Sequence, residues 1–165
     1  EISLGLVGSE MCIRDRLQIS SNECCFLFRL NMTGLTPSLI GLLENPEVIK
    51  VGLSLRDDFM MLHKRAPFTQ QGCVELQDYV RPFGILDKSL QKIYGILFKE
   101  KISKSQRLSN WEADVLTDAQ KQYAATDAWA CLHIYNLLEE LKHTGNFEIE
   151  ETPVAIEDEQ GTRPL

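Results

Sequence analysis

One stretch limits what this chain can fold into: L-T-D-A-Q-K-Q-Y-A-A-T-D-A-W-A-C-L-H-I-Y-N-L-L-E-E-L, residues 116–141. It reads as a single long amphipathic helix. Thr117 suits the N-cap, and Asp118 falls in the first turn, where the helix dipole favours negative charge. No residue inside breaks a helix, and Gly145 follows its end. Tyr123, Ala130, Cys131, Ile134, Leu137, Leu138 and Leu141 recur at helical spacing and mark the packed face. Asp127 falls on that same face. A carboxylate there costs several kcal/mol unless it is paired, hydrogen-bonded or bound to metal. Two readings follow: a structural Asp that pairs or caps, or a metal ligand with Tyr123 one turn earlier.

A second acid of this kind lies in V-I-K-V-G-L-S-L-R-D-D-F-M-M-L-H-K. A β-branched strand over residues 48–53 leads into a helix opening at Ser54 or Leu55 and running to about Arg65. Leu55, Phe59 and Leu62 define its inward face. Asp58 leans toward that face and Asp57 points away. Asp58 also follows the carboxyl end of a core strand, where open α/β sheets place ligands. A first-turn acid favoured by the dipole is the plainer alternative.

Two inward carboxylates without His or Cys partners suit hard divalent cations such as magnesium or manganese. A tyrosine with an ordinary pKa of about 10 stays neutral and orients water rather than acting as a strong base.

The remaining elements set the fold class. Residues 17–20 and 24–30 read as a hairpin around the polar turn S-N-E, and residues 31–36 as a loop. Thr36 caps a helix with Pro37 at its first position, ending near Asn45. Residues 73–76 form a strand, 78–83 a short helix, 89–98 a helix, and 99–111 a basic loop. This order predicts an α/β domain with a mixed sheet: an antiparallel hairpin start, then parallel strands joined by helices.

No apolar run is long enough to span a bilayer, and the opening E-I-S-L-G-L-V-G lacks the features of a secretory signal. The five cysteines form no C-x-x-C pair, so zinc-finger and dithiol redox readings fail. Reduced thiols point to the cytoplasm. The net charge of −7 would argue against a nucleic-acid partner, but the acids concentrate from Glu139 onward. Lys88, Lys92, Lys99, Lys101, Lys104 and Arg107 gather in one segment that can meet phosphates or simply form a solvated face. Residues 144–165 read as an acidic tail without periodicity.

The first sixteen residues differ from the rest. L-V-G-S-E-M-C-I-R-D-R resembles the translation of a transposase-type sequencing adaptor. On that reading residues 1–16 are a non-native scar, and the domain spans residues 17–143.

V-G-L-S-L-R-D-D-F-M-M-L and L-T-D-A-Q-K-Q-Y-A-A-T-D-A, with L-S-N-W upstream, resemble the second and third motifs of DEDD-superfamily 3′–5′ exonucleases of the tyrosine branch. That group includes ribonuclease D and the exonuclease domain of Werner-type helicases. The resemblance implies a ribonuclease H-like sheet and two divalent cations, Mg²⁺ or Mn²⁺, with no organic cofactor. It implies Asp58 and Asp127 as ligands and Tyr123 as the residue that positions the nucleophile. The partners implied are single-stranded DNA or RNA 3′ ends, with Lys99, Lys101, Lys104 and Arg107 as candidate backbone contacts. No residue announces 2′-hydroxyl recognition, so DNA and RNA both stay open.

Two departures stand out. The family's first motif, Asp-x-Glu on the opening strand, is absent, and Glu10 and Asp15 do not form it. The first strand is therefore expected to be missing, and this chain to be impaired. Asp114 and Val115 stand where ribonuclease D relatives usually carry Arg-Pro. The rival readings are a non-catalytic nucleic-acid-binding or scaffold module of the same fold, and a proofreading domain detached from a larger enzyme.

Overall fold

The structure, a computed structural model, describes residues 1–6 and 16–145. The expected acidic tail beyond Gly145 lies outside the described residues, as do Glu10 and Asp15. A five-stranded mixed sheet forms the centre. Its strands are β1 (Ile2–Leu6), β2 (Arg16–Ser20), β3 (Cys25–Arg29), β4 (Lys50–Gly52) and β5 (Cys73–Glu75), in the order β3-β2-β1-β4-β5. The first three are antiparallel neighbours; β1 with β4 and β4 with β5 run parallel. The expected hairpin start and parallel continuation are both present.

The helices are α1 (Leu30–Thr33), α2 (Pro37–Glu44), α3 (Leu55–His63), α4 (Leu76–Tyr79), α5 (Leu90–Phe98) and α6 (Asp118–Thr144). Thr36 caps α2 as its sequence predicts, its side chain accepting from the Leu39 N–H. A loop was expected over residues 31–36, yet Leu30–Thr33 makes one helical turn. The short helix expected over residues 78–83 is two pieces, α4 and a 3₁₀ turn at Arg81–Phe83. Pro82 lacks an N–H, so a continuous α-helical ladder would be interrupted there.

One expectation needs correcting. The adaptor-like character of residues 1–16 predicts that they stand outside the fold and that the first strand is missing. Ile2–Leu6 fills that central position, pairing on both sides, and Arg16 opens β2. Side-chain alternation explains why the segment fits. Ile2 packs into the apolar cluster with Leu17, Ile19, Leu39, Leu55 and Phe59, while Ser3 turns to the opposite face. The acidic pair is absent from β1; the strand is not.

The two sheet faces differ in chemistry. One carries Ile2, Leu17 and Ile19 against α2 and α3. The other carries buried Ser3, Arg16, Gln18 and Ser20 beside Val51. α6 crosses that second face, touching β1, β2, β3 and β4. Its apolar residues Ala130, Cys131, Ile134, Tyr135 and Leu138 pack with Val51, α4 and α5 residues in the larger core cluster. Leu137 and Leu141, expected on the packed face, are only half-buried. Ala124 and Ala128 take inward positions and let the helix approach the sheet closely.

Candidate active site

α6 starts where its sequence says it should. Thr117 accepts from the Gln120 N–H at 3.2 Å, and Gln120 Oε1 accepts from the Thr117 N–H at 2.9 Å, a reciprocal capping box. The helix ends at Gly145, whose φ of 70° is left-handed. Its first three turns place Tyr123 and Asp127 on the side facing the sheet, both half-buried.

Asp127 is the acid most at odds with its surroundings. Its Oδ1 is buried with no hydrogen-bond partner among the described residues. Burial raises its pKa from an ordinary 3.8 to about 6. Tyr123 is likewise pushed up, first by burial and then by the Asp127 carboxylate, with the Arg107 charge pulling the other way. The Tyr123 hydroxyl therefore stays neutral at physiological pH.

Asp58 arrives from the other side. It is half-buried in the first turn of α3, and Asp57 is exposed, as their helix positions require. Cys131 lies one turn beyond Asp127 on α6 and feels both acids. Its thiol is pushed up to about 12, by burial first, then by Asp127, with smaller contributions from Glu75 and Asp58. Ser3 of β1 lies close enough to this thiol to oppose the shift. Asp127 from α6 and, more weakly, Asp58 from α3 thus both act on the Cys131 thiol beside the polar side of β1.

Glu75 is the site residue that sequence reasoning missed. It ends β5, beside Gly52 in the register. Its Oε1 accepts from the N–H groups of Ser54 (3.0 Å) and Gln77 (3.1 Å), and its Oε2 from Leu55 (2.7 Å). Ser54 has a left-handed φ of 64° and makes no cap of its own. Glu75 therefore closes the amino end of α3 and fixes the turn that carries Asp58. Besides Gln77, its partners Ser54 and Leu55 lie 21 and 20 residues earlier in the chain, a separation that no local pattern reveals.

The loop ahead of α6 is pinned to the site. Trp111 is buried, packs 6.0 Å from the Tyr123 ring, and donates to the Gln106 carbonyl. Arg16 lies over the other part of the Trp111 surface, 5.6 Å from the ring. Arg29 donates to the carbonyls of Ala113 (2.8 Å) and Asp114. Asp114 and Val115, the second departure from the resemblance, are themselves exposed. Lys99, Lys101, Lys104 and Arg107 are all exposed on the preceding segment, and Arg107 acts on Tyr123.

The fit to a cation is partial. The buried, unpartnered Asp127 Oδ1 and the oxygen-only acids suit a hard ion. Yet among the described residues no group of three or more His, Cys, Asp or Glu side chains could hold a metal. Glu75 is occupied by three N–H donors, and β1 brings no carboxylate.

A family model described as 3′–5′ exonuclease matches residues 7–142. The chain belongs to that 3′–5′ exonuclease family. Among curated relatives, exonuclease 3′–5′ domain-containing protein 2 of Drosophila melanogaster is 35% identical over 126 residues, covering 74% of this chain and 22% of that protein. The bifunctional 3′–5′ exonuclease/ATP-dependent helicase WRN of Mus musculus is 34% identical, covering 75% of this chain and 9% of that protein. The chain thus spans less than a quarter of either relative. Among solved structures, Escherichia coli RNase D aligns with a TM-score of 0.73 at 22% identity, covering 87% of this chain and 40% of that one. Brucella melitensis NrnC with bound Mg²⁺ aligns at 0.69 and 22%, covering 87% and 74%. At these identities the structures establish the shared fold.

Proposed function

We propose that this chain is the greater part of a divalent-cation-dependent 3′–5′ exonuclease domain acting on single-stranded DNA or RNA ends. The observation that carries the reading is the Asp127 carboxylate. It is held half-buried with one oxygen unpartnered, one turn from Tyr123, and Asp58 acts on the same neighbouring thiol of Cys131. Nothing in the packing of α6 requires an acid at that position.

Asp58 and Asp127 would hold Mg²⁺ or Mn²⁺ directly or through water. When bound, such ions supply a hydroxide nucleophile and stabilise the leaving oxygen of a phosphodiester. The chain's own part is positional. Tyr123, kept neutral, hydrogen-bonds and orients the attacking water. Arg107, whose charge acts on Tyr123, would meet a substrate phosphate, and Lys99, Lys101 and Lys104 would guide the backbone. The free thiols among the described residues agree with action in a reducing compartment such as the cytoplasm.

With so incomplete a donor set among the described residues, the reading carries with it a weak, impaired activity for this chain. That incompleteness also gives substance to the rival reading, a nucleic-acid-binding module without chemistry. Calorimetric titration with MnCl₂ separates the two. The exonuclease reading expects weak Mn²⁺ binding that Asp58→Asn and Asp127→Asn each abolish. Mn²⁺ binding indifferent to both substitutions, together with oligonucleotide binding that needs no cation, would establish the rival.

A further inference from the structure

Gln120 is buried, 3% exposed, at the third position of α6. Its side chain makes two kinds of contact. Through Oε1 it accepts from Thr117 N–H, the capping contact that starts the helix. Through Nε2 it donates outward, to Ser109 Oγ at 3.1 Å and to the Asn110 carbonyl at 2.8 Å. The second set holds the loop rather than the helix. Ser109 Oγ donates in turn to the Gln106 carbonyl, and Trp111 Nε1 donates to that same carbonyl. One buried amide therefore fastens residues 106–111 as a unit onto the first turn of α6. That unit carries Trp111, whose ring abuts Tyr123, and Arg107, whose charge reaches the Tyr123 hydroxyl.

We infer that Gln120 is a positioning residue: its amide donors set the 106–111 loop, which packs Trp111 against Tyr123 and carries Arg107. The inference rests on the reading of Tyr123 and Asp127 as the nuclease centre. A Gln serves both purposes only because its amide accepts and donates at once. A glutamate keeps the first purpose and loses the second, since an ionised carboxylate completes a capping box but donates nothing.

That asymmetry defines the experiment. Gln120→Glu and Gln120→Ala are made in a Trp129→Phe background, which leaves Trp111 as the sole tryptophan of the two in the chain. Acrylamide quenching of Trp111, the melting temperature, and anisotropy of a labelled single-stranded oligonucleotide are measured. Gln120→Glu is expected to keep the melting temperature within a few degrees, to raise the Trp111 quenching constant at least threefold, and to weaken oligonucleotide binding as far as Arg107→Ala does. The Arg107→Ala/Gln120→Glu double variant should bind no more weakly than either single one. A Gln120→Glu protein whose Trp111 stays as shielded as before overturns the inference, and Gln120 is then a capping residue only. If the parent protein binds no oligonucleotide, the nuclease reading fails instead. The Trp111 measurement still decides whether Gln120 holds the loop.

Discussion

Glu75 reaches from β5 to the amino end of α3, where its Oε2 accepts from the Leu55 N–H at 2.7 Å. This contact ties the parallel β4–β5 pair to the turn that carries Asp58. Glu75→Ala strands the N–H groups of Ser54, Leu55 and Gln77. Hydrogen bonds to a charged acceptor contribute about 1–3 kcal/mol, so urea unfolding should show a loss in that range. Glu75→Gln keeps one acceptor oxygen and should lose less. A Glu75→Ala protein as stable as the parent would contradict this role.

Asp127 makes stability fall as pH rises. Its folded pKa of about 6 lies above the ordinary 3.8, so the folded state holds the proton more tightly than the unfolded one. The stabilising effect is complete below pH 3.8 and is lost as pH rises through 6. A shift of this size corresponds to about 3 kcal/mol at neutral pH. Asp127→Asn should therefore be more stable than the parent at pH 7.5, and the gap should close near pH 4. Paired unfolding curves at the two pH values check it.

The thiols should divide by burial. Cys24 and Cys73 are exposed, whereas Cys131 is buried and pushed up to about 12. Thiolate is the reactive form, so Cys131 should resist a disulfide reagent in the native protein and react only on unfolding. Mass spectrometry of labelled peptides identifies the sites. Fast native labelling of Cys131 would mean that α6 is not seated as described.

Arg107 should matter more than the lysines before it. If its guanidinium meets a phosphate, Arg107→Ala should lower the salt dependence of oligonucleotide binding by about one contact. Lys101→Ala should change it less. Equal effects would reduce Arg107 to one of several diffuse surface charges.

Much of this was legible in the sequence because the signals were local. The N-cap at Thr117, the Gly145 stop, and the opposite directions of Asp57 and Asp58 each depend on residues within a turn or two. Glu75 was not legible, because its partners lie across two parallel strands. Trp111 was readable as part of a motif, but its fastening through Gln120 to Gln106 and Asn110 needs the folded loop. β1 was missed for a different reason. It adjoins the adaptor-like run, whose character masks the alternation of I-S-L-G-L that lets it pair on both edges.

That strand offers the most direct test of the central claim. Ser3 faces the α6 side near Cys131, and Gly5, two residues on, shares that strand side by alternation. The measurement is the rate of 3′-end degradation of a 5′-labelled single-stranded oligonucleotide, in Mn²⁺, by the Ser3→Asp/Gly5→Glu chain. The account predicts stepwise shortening from the 3′ end, faster than by the parent chain and abolished by adding Asp127→Asn. Degradation that survives Asp127→Asn, or a folded, acid-bearing chain that stays inert with both Mn²⁺ and Mg²⁺, would contradict it.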